Sequence, residues 1–105
     1  MYVCSGCFSR HPKADIRVLP TWNEYVEDFV TSFRCAQCWP DSLAWTRLKA
    51  VLLTEDTREK FCQFLARYDC GEAADIIRRA PLDDAARQVG IVLDCIEAGS
   101  LRLTP

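Results

Sequence analysis

A chain of 105 residues, 50% apolar and 10% aromatic, is sized for one folded domain and is too apolar to be disordered. No apolar run approaches the ~18 residues of a membrane span, and Met1-Tyr2-Val3-Cys4-Ser5-Gly6-Cys7 lacks the basic stretch and apolar core of an export signal. The net charge of −2 is far from the basic field of a typical nucleic-acid binder, and seven cysteines, an odd number, speak against a secreted disulfide scaffold and for a soluble chain in the reducing cytoplasm.

Tyr2-Val3 reads as a short extended piece entering the first cysteine pair. Phe8 to Ala14, with Ser9, His11 and Pro12, reads as loop, and Ile16-Arg17-Val18-Leu19 as a brief strand stopped by Pro20. Thr21-Trp22-Asn23-Glu24 matches a capping box. From there Trp22, Tyr25, Val26, Phe29, Val30 and Phe33 follow a helical repeat, which predicts a helix over about 22–33, although Val and Phe also suit strands. Asp41 reads as the N-cap of a second helix, with Ala44, Trp45, Leu48, Val51 and Leu52 as its inner face. Thr54-Glu55-Asp56 opens a third, with Phe61, Cys62, Phe64, Leu65 and Tyr68 inward and Gly71 in a left-handed closing position. Ala73, Ile76, Ile77 and Ala80 mark a short fourth helix. Asp83 or Asp84 caps a fifth, with Ala86, Val89, Val92, Leu93 and Ile96 inward and Gly99 as its stop. The tail, 100–105, reads as loose.

The expected fold is α-rich, α+β at most, in a single domain spanning 1–105. Its zinc-binding half, 1–40, carries short strands and the helix at 22–33. That half packs on a helical half, 41–99, giving a small bundle of about four to five helices. A domain this small buries a modest share of its surface and commonly needs a staple.

The staple is legible in Cys4, Cys7, Cys35 and Cys38. Two residues between cysteines let one tight turn aim both sulfurs at a single ion, and two such turns complete a tetrahedral structural zinc site. Residues 8–34 separate the pairs, more than the roughly 15 to 20 residues usual for this pattern, but that loop can fold on its own. Cys4-Ser5-Gly6-Cys7, Cys35-Ala36-Gln37-Cys38 and the helix expected after them resemble the zinc-ribbon and treble-clef group of small zinc domains. The resemblance implies a Cys4 zinc unit in about the first half of the chain, 1–53, with the second pair at the start of a helix. Two features depart from that pattern: Phe8 and Trp39 stand where many such turns have glycine, and a helix is expected where a β-hairpin is usual.

Other readings compete at the same cysteines. Four thiolates also accept iron, as in rubredoxin-like proteins. A dithiol redox pair lacks its strand–helix context here. His11 is an alternative ligand, with a plain turn role as the simpler reading. Cys62, Cys70 and Cys95 read as buried thiols packing as small apolar groups. Trp39, beside the metal turn and before Pro40, is the candidate surface anchor for a protein partner, although core packing explains it more simply. No catalytic constellation is legible. The functional expectation is a non-catalytic zinc protein acting as a protein-interaction adapter or regulator. The alternative is a nucleic-acid-binding regulator using Arg10, Lys13, Arg17 and Arg34 as a basic face.

Overall fold

The computed structural model describes residues 1–103; positions 104–105 of the expected tail lie outside them. Strand β1 (Tyr2–Val3) pairs antiparallel with β2 (Arg10–His11), and a single 3-10 turn at Lys13–Asp15 leads into β3 (Ile16–Asn23). β3 pairs along its whole length with β4 (Asp28–Cys35), from Ile16 opposite Cys35 to Asn23 opposite Asp28. Four helices follow: α1 (Trp39–Val51), α2 (Glu55–Arg67), α3 (Gly71–Arg79) and α4 (Leu82–Ala98). The α-rich, α+β expectation holds.

The helix expected over 22–33 is the one large correction. That segment forms the tip and both facing arms of the β3–β4 hairpin. Trp22, Phe29 and Phe33 do share a face, but through strand register: Trp22 lies opposite Phe29, and Phe33 opposite Val18. The Trp22 and Phe29 rings meet edge to face at 5.1 Å. Asn23 decides the reversal, because its Oδ1 accepts from the backbone N–H of Tyr25 at 2.9 Å and of Val26 at 3.4 Å. Such an Asx turn competes directly with helix. Tyr25 and Val26, counted in the helical stripe, stand exposed at the tip. Thr21 caps nothing; it lies in β3, and its hydroxyl hydrogen-bonds that of Ser42 at 2.8 Å. Pro20 does not end the strand, since β3 is paired on one side only and an edge strand tolerates a missing N–H.

α1 is turned differently from the sequence expectation. It buries Ser42, Leu43, Thr46 and Ala50, and leaves Trp45, Leu48 and Val51 exposed, as is Leu52 at its C-cap. The polar pair faces the hairpin: Thr46 Oγ1 donates to the Pro20 carbonyl at 3.2 Å, and Ser42 bonds Thr21. Hydrogen bonds to strand groups make that burial tolerable.

α2 lies on the other side of the hairpin. Phe61 meets Phe29 edge to face at 5.2 Å, and Tyr68 hydrogen-bonds Thr31. One continuous core then joins Leu19 and Phe29 of the hairpin to Phe61, Leu65, Val89 and Leu93 of the helices. α2 begins as expected, with Thr54 and Thr57 exchanging backbone-to-hydroxyl bonds in a capping box. Thr54→Ala is expected to cost about 1 kcal/mol in urea unfolding. The helix stops earlier than expected. Asp69 (φ 61°) takes the left-handed position, Cys70 N–H closes on the Leu65 carbonyl at 3.0 Å, and Gly71 instead opens α3. Gly99 (φ 81°) ends α4 as expected. The chain beyond it is not loose through its described part, because Leu103 is buried in the core.

Candidate metal centre

The first cysteine pair sits in the turn that joins β1 to β2. Cys4 N–H donates to the Ser9 carbonyl at 3.0 Å and Phe8 N–H to the Cys4 carbonyl at 2.9 Å, which winds residues 4–9 into a tight loop. Phe8 adopts φ 60°, the left-handed conformation that glycine commonly supplies. Its ring is exposed. Phe8→Gly is therefore expected to stabilise the protein by about 0.5–1 kcal/mol, read as a higher urea midpoint.

The second pair sits where strand becomes helix. Cys35 ends β4, Cys38 N–H donates to the Cys35 carbonyl at 2.9 Å, and Cys38 is the N-cap of α1. The two turns are sewn together by backbone. Ser5 N–H donates to the Phe33 carbonyl at 2.6 Å, and Phe33 N–H returns a bond to Ser5 Oγ at 3.2 Å.

This brings all four expected sulfurs, Cys4, Cys7, Cys35 and Cys38, within 4.8 Å of one another. A tetrahedron with metal–sulfur bonds near 2.3 Å places its sulfurs about 3.8 Å apart. Cys7 and Cys35 Sγ lie 3.9 Å apart, far longer than a disulfide and matched to that edge. Cys4 and Cys35 are buried, Cys38 is half-buried and Cys7 faces outward. No family model, curated protein or solved structure matches this chain. The metal-binding reading therefore stands on the four sulfurs and their frame. The order knuckle, hairpin, helix is compatible with a zinc-ribbon-like unit, and the hairpin removes one of the two departures noted in the sequence.

The electrostatics of the cluster suit a cation. Burial raises the Cys4 thiol, but N–H groups of Cys35, Cys7 and Gly6 outweigh it and leave the net value lowered. Two of these are direct bonds to Cys4 Sγ, from Gly6 N–H at 3.3 Å and Cys35 N–H at 3.4 Å. The Cys7 thiol is brought down to about 5, first by His11 and then by Ser9. The Cys38 thiol is pushed up to about 12, first by its hydrogen bond with Cys4, then by burial and the remaining thiols. Four sulfurs this close cannot all ionise without a positive charge among them, and a metal ion held there would supply it.

His11 is placed on β2, not in a loop, with Nε2 3.9 Å from Cys7 Sγ. It stands behind Cys7 as an outer neighbour of the cluster. Arg34 is a neighbour that the sequence did not flag at this site. The position that a Cβ on Gly6 would occupy lies 2.8 Å from Arg34 Nη1 and 2.9 Å from Cys38 Sγ, so guanidinium and thiol crowd the same glycine. Arg17 and Arg34 sit opposite each other on the hairpin and are both half-buried. Trp39 is half-buried against the core, with the Arg17 guanidinium 4.6 Å over its ring. Cys62 is fully buried, its thiol donating to the Ala74 carbonyl at 3.4 Å and raised by burial. Cys70 and Cys95 are half-buried. Among the described residues, these three join no second ligand cluster.

Proposed function

We propose that Cys4, Cys7, Cys35 and Cys38 hold one structural Zn²⁺ per chain, and that the protein acts by binding a protein partner and not by catalysis. The observation that carries this reading is the convergence of four sulfurs from two turns far apart in sequence. Four cysteine ligands leave no open position for a reactive water. The ion would tie the β1–β2 turn to the β4–α1 junction, and its binding free energy would become folding free energy. Every cysteine is free, which suits a reducing cytoplasm. No helix among the described residues is long and apolar enough to cross a membrane.

The partner surface we favour is the outward side of α1. Trp45, Leu48 and Leu52 follow one another at helical spacing, all exposed, with Val51 beside them. Contiguous exposed apolar groups of this kind mark contact sites, and tryptophan is a frequent anchor. Trp39, covered by Arg17, is the secondary candidate. The nucleic-acid alternative loses support because Arg17 and Arg34 are half-buried, leaving Arg10 and Lys13 as the exposed members of that basic face.

Elemental analysis of protein purified under reducing conditions should give one zinc per chain and no visible colour. Red colour with iron at the same stoichiometry would replace zinc by iron, and absence of both metals would sink the site. Affinity capture from the native host should recover partners that bind wild type but not Leu48→Asp, with metal content unchanged. Identical capture by both baits would remove α1 from the interaction.

A further inference from the structure

The outward side of α1 is apolar over its C-terminal half. Trp45 is 45% exposed, Leu48 58% and Val51 76%, and Leu52 at the C-cap is 73% exposed. Positions 45, 48 and 52 are spaced by three and four residues, so they form one stripe along the helix, with Val51 beside it. The stripe leaves on the order of 450 Å² of apolar surface uncovered, well into the ~300–600 Å² of the largest patch on an ordinary monomer. Two such stripes set together would cover on the order of 900 Å² before any rim residue is counted, close to the ~1,000 Å² that a specific interface clears.

Charge favours a copy of the same face as its cover. A two-fold interface sets a patch against itself, so a patch with net charge repels its own copy. No member of the stripe is charged. The basic residues between its members turn into ion pairs of their own chain, Arg47 with Asp94 at 2.6 Å and Lys49 with Glu24 at 3.4 Å. Closing the stripe against itself therefore strands no lone charge. Asp41, the remaining charged residue of α1, is exposed one turn before Trp45 and in line with the stripe. Parallel helices would bring two Asp41 carboxylates together, whereas antiparallel helices send them to opposite ends. In an antiparallel pair centred on the stripe, Trp45 of each copy faces Leu48 of the other, so a large ring meets a smaller branched chain.

We propose that the partner of this face is a second copy of the chain, joined by an antiparallel α1–α1 contact about a two-fold axis, with Trp45 and Leu48 at its centre. This choice of partner rests on the reading of α1's outward side as the partner surface and does not depend on which metal the cysteines hold.

The material to test is the full chain with its own metal, under reducing conditions. Sedimentation over ~1 to ~100 µM should show a monomer–dimer equilibrium that approaches twice the chain mass at the upper end. Amide shifts on dilution should centre on α1. Leu48→Asp should weaken association at least tenfold, with metal content and far-UV spectrum as in wild type, because position 48 is exposed. A single species at the chain mass throughout would overturn the proposal, as would dilution shifts away from α1. So would undiminished association in folded Leu48→Asp, which would place the contact elsewhere. Should Leu48→Asp fail to fold, Leu52→Gln changes only an exposed side chain at the C-cap. It should weaken association several-fold, and an unchanged affinity would equally overturn the proposal. A monomeric wild type whose host partners are still lost on Leu48→Asp would overturn the second copy and leave α1 as a surface for a different protein. A monomeric wild type with identical capture by both baits would remove both.

Discussion

Replacing Cys35 by serine is expected to release the metal and unfold at least the N-terminal half. Cys35 is buried, ends β4, and its own N–H bonds the Cys4 sulfur, so it belongs at once to the ligand set, the strand and the inner hydrogen bonding of the cluster. Serine oxygen is a poor substitute for thiolate at a soft tetrahedral site. Zinc-finger peptides draw on the order of 10–16 kcal/mol from metal binding at neutral pH, whereas whole domains retain only about 5–15 kcal/mol of net stability. Loss of even part of the former, about 4 kcal/mol or more, is comparable with the entire margin. Near-UV ellipticity should collapse, since Trp22 and Trp39 are packed on or beside the hairpin that the proposed metal would anchor. Far-UV helical signal should fall less. A strong chelator should reproduce both changes in wild type. Cys95→Ser lies outside the cluster and should keep metal and spectra intact. Unchanged metal content and thermal stability in Cys35→Ser would refute the assignment.

The four-cysteine cluster was legible because its signal is local: two residues between cysteines force a turn wherever the chain then goes. The hairpin was hidden by a coincidence of spacing. Trp22, Phe29 and Phe33 fall on one face of a helix, and also on one face of a hairpin with Trp22 opposite Phe29. What separates the two is a single side chain, Asn23, closing on Tyr25 and Val26. α1 misled for another reason. The rule that apolar residues turn inward presumes that the neighbour offers apolar surface, but here the hairpin presents the Pro20 carbonyl and Thr21 hydroxyl, and Thr46 and Ser42 answer them. Arg17 and Arg34 read as surface charge because nothing local says that Trp39 will cover one and Gly6 will abut the other. The helical core of α2 was legible in full, since Phe61, Cys62, Phe64 and Leu65 are buried as their spacing requires.

Gly6→Ala offers a test of how closely the two turns must approach. A Cβ there would lie 2.8 Å from Arg34 Nη1 and 2.8 Å from Cys38 Cβ, with Cys38 Sγ at 2.9 Å. The guanidinium can swing aside at modest cost. Cys38 cannot, because it is held as N-cap of α1 and its carbonyl accepts from Ser42 N–H. Relief therefore requires the first turn to back away from the helix, which lengthens distances from Cys4 and Cys7 to Cys38. Overpacking of this kind costs about 1–3 kcal/mol, and here it falls on the ligand geometry itself. Metal affinity, read by competition with a chromophoric chelator, should drop at least tenfold, with a lower thermal midpoint. Gly90→Ala supplies the opposite sign from the same chemical change. Gly90 lies inside α4 with nothing within 4 Å of a new Cβ, so alanine should stabilise by about 0.5–1 kcal/mol and leave metal affinity alone. Equal, small effects at both glycines would mean that the sulfur cluster tolerates a wider gap than its observed packing implies.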